Sequence, residues 1–222
     1  GGIRYKTDDS DDYINASQRY LVPPIESLRD LCDACHEIEV AEERNELPEQ
    51  RWLDQLIDPG TSLGGARPKA NVIDADGKLF VAKFPSKKDL ENTELLEHFA
   101  HSLAASAGIN VAKTHTIKIS RDRDLLLSER FDRSADGKRI HFASAMSLLG
   151  LEDGAGSSTG NGYLDIVDFI LQGCTDVKQN LRELYRRVAF NIMFGNTDDH
   201  FRNHGFLLTP KGWTLSPAYD IN

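Results

Sequence analysis

Three polar side chains near the end of the chain have the types and spacing to act on one substrate. Asp198 and Asn203 flank the stretch Asp198-Asp-His-Phe-Arg-Asn203, and Asp220 closes Ser216-Pro-Ala-Tyr-Asp220. A loop carboxylate can orient a hydroxyl proton. An amide oxygen and a second carboxylate can hold Mg²⁺, a hard cation that takes oxygen ligands. The set suits phosphoryl transfer, which needs positioning and charge neutralisation more than covalent help. Alone, Asp198 would read as an ordinary cap or turn residue; the ordered set points to a reaction class.

Protein kinases place an Asp, an Asn and a second Asp in this order. Many carry Lys where this chain has His200. The pattern Asp198-x-His200-x-x-Asn203 also suits small-molecule and lipid kinases. A phosphate beside His200 would favour its protonated form. Lys83 ends Val81-Ala-Lys83, similar to the Val-Ala-Ile-Lys strand of kinases, where the lysine meets the α- and β-phosphates. A single strand lysine is more often an exposed edge charge, so this signal needs the rest of the set. Gly64-Gly65 precedes that strand and would let backbone N–H groups approach phosphates, or simply make a turn. Glu129 and Phe131 fall where a connector between lobes would offer its backbone to an adenine edge.

The elements that must position these residues are legible as patterns. Leu28, Leu31, Cys32, Cys35 and Ile38 recur at helical spacing behind a cap at Ser27. A second short helix is expected over 49–57. Strands are expected at 70–73 and 79–84, joined by a turn at Asp74–Gly77, and again at 114–119 and 124–127. Between the pairs, a helix over 89–107 carries Leu95, Leu96, Phe99, Leu103 and Ala107 as its apolar stripe and stops at Gly108. Residues 151–162 are rich in glycine and serine and should be the most flexible internal stretch. A helix over 181–193 shows Leu184, Tyr185, Val188 and Ile192 on one side. Residues 205–208 and 213–215 pair as a hairpin. The order predicts an α+β fold of two lobes, with a mainly antiparallel sheet in the first and helices in the second. The segments are 1–60, then 61–128 with the glycine-rich loop, then 129–222 with the catalytic loop.

Bulk properties exclude other classes. The 222 residues carry a net charge of −9, which argues against nonspecific nucleic-acid binding and against an anionic membrane surface. No apolar run reaches the length of a membrane span, and the first residues lack a signal core. Three cysteines make no disulfide framework, so a reducing cytoplasm is the expected location. Cys32-Asp-Ala-Cys35-His36 fits the haem-attachment spacing, but both cysteines fall on a helix's apolar stripe, where thiols pack as small hydrophobes.

With these residues in view, the chain resembles the HipA family of bacterial serine/threonine kinases, the toxins of HipA–HipB toxin–antitoxin pairs. The resemblance rests on Ser62-Leu-Gly-Gly-Ala-Arg-Pro-Lys69, Lys83-Phe-Pro85, Glu129-Arg-Phe-Asp-Arg133, Asn196 to Gly205, and Leu215 to Asp220. It implies ATP and Mg²⁺ as cofactors. It implies Asp198 as the catalytic aspartate, Asn203 and Asp220 as metal ligands, and Lys83 and His200 as phosphate contacts. Glu129 and Phe131 would contact adenine. Ser62, in the ATP-binding loop with Gly64 and Gly65, would be the autophosphorylation site, with Thr61 a competing acceptor. A dianionic group there would repel ATP phosphates and inactivate the protein. The implied partners are a protein substrate such as an aminoacyl-tRNA synthetase and a HipB-like DNA-binding antitoxin. Family members carry an extra N-terminal subdomain and further C-terminal helices, so this chain is expected to be a truncated one.

Overall fold

The structure, a computed structural model, describes residues 22–47, 49 and 68–221. The expected helix over 49–57, and Ser62, Gly64 and Gly65, lie outside the described residues or almost wholly so.

The first lobe is a four-stranded antiparallel sheet in the order β1-β2-β4-β3, built from β1 (Lys69–Ile73), β2 (Leu79–Lys83), β3 (Thr114–Lys118) and β4 (Asp124–Glu129). Asp74 makes the β1–β2 turn, its carboxylate accepting from the Asp76 and Lys78 N–H groups. One face of the sheet packs on α1 (Leu28–Glu43), whose Leu28, Leu31, Cys32 and Cys35 are buried against Val72, Phe80, Phe84 and Leu125. The cysteines are core residues, and burial pushes their thiols up to about 11 and about 12.

The helix between the strand pairs, α2 (Thr93–Ser106), begins at Asn92, whose side chain accepts from the Leu95 N–H. Its orientation corrects the sequence expectation. Leu95, Leu96, Phe99 and Leu103 face outward, between 42% and 58% exposed, while Glu94, Glu97 and His101 are at most 6% exposed. Ala100 and Ala104 complete the buried face. Small residues let the helix approach closely, and Lys83 on the neighbouring strand supplies the partner that a buried carboxylate needs.

Past β4 the chain enters the second lobe, where the structure adds a strand that the sequence did not reveal. β5 (His141–Ser144) pairs with β6 (Gly205–Thr209), which pairs with β7 (Gly212–Leu215), so the expected hairpin is two strands of a three-stranded sheet. The short helix α3 (Ala145–Leu148) follows β5 directly. Then come α4 (Tyr163–Gly173) and α5 (Val177–Phe194), packed with Phe201, Phe206 and Leu215 in a second core. On α5, Leu184 is buried as expected, but Tyr185 and Ile192 are exposed. The inner face instead carries Asn180, Arg187, Phe190 and Asn191. Asn180 and Arg187 bind backbone groups: the Asn180 amide donates to Thr175 O, its Oδ1 accepts from Leu215 N–H, and Arg187 Nη2 donates to Ser216 O.

A third core joins the lobes, where Ala100, Ala104 and Ile109 meet Phe190, Ala218 and Ile221. The Ala218 N–H donates to Asn110 O and the Ala112 N–H to Ala218 O, both at 2.8 Å. The segment leading to Asp220 is therefore held by both lobes.

Candidate active site

The loop with Asp198 and Asn203 starts where α5 stops. Gly195 takes a left-handed conformation (φ +81°), which glycine adopts without steric cost, and both its N–H and that of Asn196 donate to Asn191 O. Asn196 Oδ1 accepts from the Asp198 N–H at 3.1 Å. Asn203 turns back, its Nδ2 donating to Asp198 O at 3.0 Å. That bond leaves the Asn203 carbonyl oxygen for another partner. Asp198 is exposed, and its carboxylate has no hydrogen-bond partner among the described residues. His200 is also exposed; its backbone carbonyl accepts from the Asn203 N–H.

Asp220 follows β7 by a short segment fixed at several points. The Ser216 N–H donates to Gly205 O at 2.8 Å, and Arg187 Nη2 donates to Ser216 O at 2.6 Å. The Tyr219 hydroxyl donates to Arg202 O at 2.5 Å. Asp220 has φ +52°, a conformation rare for non-glycine residues and concentrated at functional sites. Asn203 and Asp220 line one cavity with Asn196, Arg187 and Tyr219.

Opposite Asp220 stands Lys83. Its Nζ donates to Glu97 Oε1 at 2.6 Å and to the Asp220 carboxylate. Burial would strip the proton from Lys83, but the two carboxylates hold its pKa above the ordinary lysine value. Burial likewise opposes ionisation of Asp220, yet Lys83 keeps that carboxyl below its ordinary range. Glu97 is the most enclosed of the three, and burial pushes it up despite Lys83. Sequence reasoning missed Glu97. Its signal was an acid on the helix after the Lys83 strand, on the same face as His101 and two alanines.

Glu129 ends β4, with its N–H donating to Lys113 O and its carboxylate paired to Lys78 at 2.8 Å. Phe131 lies just beyond, its ring 5.9 Å from that of Phe142 and 5.8 Å from that of Tyr219. The connector is locked by Asp132, which accepts from Arg130 and Arg133, while Arg130 also donates to Asn71 on β1. The structure thus brings Lys83, Asn203 and Asp220 into one region, with Phe131 packed on Tyr219 beside them.

This is the two-lobed α+β fold of the kinases to which the chain is structurally similar. The HipA chain in a Shewanella oneidensis HipA, HipB and operator DNA complex matches with a TM-score of 0.59 at 24% identity, over 73% of this chain and 44% of that one. The Helicobacter pylori proinflammatory kinase CtkA matches with a TM-score of 0.56 at 19% identity, over 73% of this chain and 56% of that one. Residues 61–222 match the HipA-like C-terminal domain, and the chain belongs to that family. A curated relative, the serine/threonine-protein kinase toxin HipA of Shewanella oneidensis, is 26% identical over 77% of this chain and 45% of its own length. The chain spans about half the length of the curated relatives it matches.

Proposed function

We propose that this chain forms the Mg·ATP-binding and phosphoryl-transfer core of a HipA-like serine/threonine kinase. The observation that carries the reading is Lys83 held between Glu97 and Asp220. A buried lysine fixed by a helix glutamate suits contact with the α- and β-phosphates. The donor set fits Mg²⁺: the Asn203 carbonyl oxygen and the Asp220 carboxylate are hard oxygen ligands, and few protein ligands are needed when phosphates complete the shell. Bound there, Mg²⁺ would neutralise charge on the transferring phosphoryl group.

The chain's own residues do the rest. Asp198, exposed and unpaired among the described residues, accepts or orients the proton of the incoming hydroxyl. His200, two positions on and also exposed, meets the γ-phosphate. The Phe131 N–H has no protein partner among the described residues and suits an adenine acceptor, with Glu129 beside it. Ser62, Gly64 and Gly65 are the expected phosphate-contacting residues, and Ser62 is the expected site of autophosphorylation. The biological substrate is a protein hydroxyl, and a HipB-like antitoxin is the expected partner of the whole protein.

Incubation with γ-labelled ATP and Mg²⁺, followed by peptide mapping, tests this. Label on Ser62 that is lost in Asp198→Ala is the expected result. Label confined to an added small-molecule acceptor would make the chain a small-molecule kinase instead.

A further inference from the structure

Asp199 stands beside the proposed catalytic aspartate but faces inward. Its carboxylate accepts from three side chains on three parts of the lobe. The Tyr163 hydroxyl, at the first residue of α4, donates at 2.6 Å. Asn191 Nδ2, in the last turn of α5, donates at 2.8 Å. His204 Nε2, from the far end of the loop, lies 3.0 Å from Oδ1 and 3.1 Å from Oδ2. An ionised carboxylate only accepts, so Nε2 carries the proton. His204 is buried, and the Tyr163 ring packs edge-on against it at 5.8 Å.

The placement matters because of the neighbours. Asp199 is bonded to Asp198 and His204 to Asn203. A clasp between Asp199 and His204 therefore fixes both ends of the span that separates the proton acceptor from the metal ligand. Tyr163 and Asn191 fasten the clasp to the two long helices of the lobe. We infer that Asp199, His204 and Tyr163 are positioning residues for phosphoryl transfer, acting by holding Asp198 and Asn203 at a fixed separation. This rests on the phosphoryl-transfer reading above and adds residues that reading does not use. A buried polar cluster serving stability alone would lower the melting temperature without singling out turnover. A positioning clasp would lower turnover while leaving nucleotide affinity in place.

The test uses the full chain with Tyr163→Phe, His204→Ala and His204→Gln. Tyr163 is partly exposed, so removing its hydroxyl should leave the fold intact. The glutamine amide can supply a donor near the position of Nε2. Misplacement by an ångström costs roughly 100-fold in turnover, which is the loss expected for His204→Ala. Tyr163→Phe should lose about 3- to 10-fold, on the scale of one hydrogen bond. His204→Gln should recover most of the alanine loss. The Kd for ATP measured without Mg²⁺ should stay within about threefold, below the 1.4 kcal/mol that a tenfold change represents.

Wild-type turnover in all three variants, a loss confined to nucleotide affinity, or equal loss in His204→Ala and His204→Gln overturns the inference. Asp198→Ala is run alongside. If wild type and Asp198→Ala behave alike, the phosphoryl-transfer reading fails and this inference with it. If only Asp198→Ala is impaired, the clasp alone fails. Amide exchange across residues 197–203 gives a readout independent of catalysis. Faster exchange in Tyr163→Phe supports the clasp, and unchanged exchange counts against it.

Discussion

The Tyr219 hydroxyl donates to the Arg202 carbonyl at 2.5 Å, joining the segment that ends in Asp220 to the loop that carries Asn203. The two proposed metal ligands come from opposite ends of the β6–β7 hairpin, one from the turn after α5 and one from the strand exit after β7. Each has an immediate neighbour in this bond. Burial raises the Tyr219 hydroxyl pKa well above its ordinary value, so the group remains a donor across the physiological range.

Removing the proposed proton acceptor should separate chemistry from binding. Asp198→Ala is expected to lower transfer by about 100- to 10,000-fold, the range for a lost acid–base group. Nucleotide affinity should change little, because the Asp198 carboxylate has no hydrogen bond to Lys83, Asn203 or Asp220. Single-turnover kinetics and titration calorimetry on the same sample check both halves.

Glu97 should matter although it touches neither metal nor hydroxyl. In Glu97→Gln, Lys83 keeps a neutral partner and is left with Asp220 as its carboxylate. Lys83 is then drawn toward Asp220 and away from the phosphates. With Lys83 contacting phosphate as proposed, transfer is expected to fall by roughly 10- to 100-fold, the scale of a positioning group displaced by about an ångström. Single-turnover rates at saturating Mg·ATP measure it.

Gly205, the first residue of β6, lies against the segment that leads to Asp220, its carbonyl accepting from the Ser216 N–H. A Cβ there would lie 2.8 Å from both Phe142 Cζ and Ser216 Oγ. Real side chains do not pack so tightly, so Gly205→Ala must push β5 or the Ser216 segment away. The expected cost is about 1–3 kcal/mol of stability. Urea denaturation of the variant checks the cost, and its Mg²⁺ dependence checks the displacement.

The Asp132 clamp gives a pH signature away from the metal ligands. Burial would raise the Asp132 pKa, but hydrogen bonds and charge from Arg130, with Arg133 adding to them, hold it below the ordinary value. A depressed folded-state pKa stabilises the protein above the unfolded value, about 3.9. That contribution disappears as pH falls from there through the lowered folded value. Asp132→Asn should therefore be less stable at pH 7 by about 1–3 kcal/mol. Its stability should also fall less steeply than wild type below about pH 4. Denaturation midpoints from pH 2 to 7 supply the comparison.

Sequence patterns revealed what depends on local chemistry. The α1 stripe, the two strand pairs and the Gly108 helix stop follow from periodicity and backbone preference, and they appear as expected. What escaped depends on partners distant in sequence. The leucines of α2 outvoted Glu94 and Glu97 as a core signal, because hydrophobicity is visible in a sequence and an ion pair with Lys83 is not. β5 was missed because four residues after a connector carry no alternation until β6 is placed beside them. The order of Asp198, Asn203 and Asp220 was visible, whereas nothing in the sequence singles out Asp199, whose three donors come from Tyr163, Asn191 and His204.

The most direct measurement is the binding of ATP, with and without Mg²⁺, to the wild-type chain and to Asp220→Ala by titration calorimetry. The account predicts that Mg²⁺ strengthens binding to wild type by at least about tenfold, or 1.4 kcal/mol, and has little effect on the variant. Equal Mg²⁺ dependence in the two proteins, or no ATP binding by wild type, would contradict it.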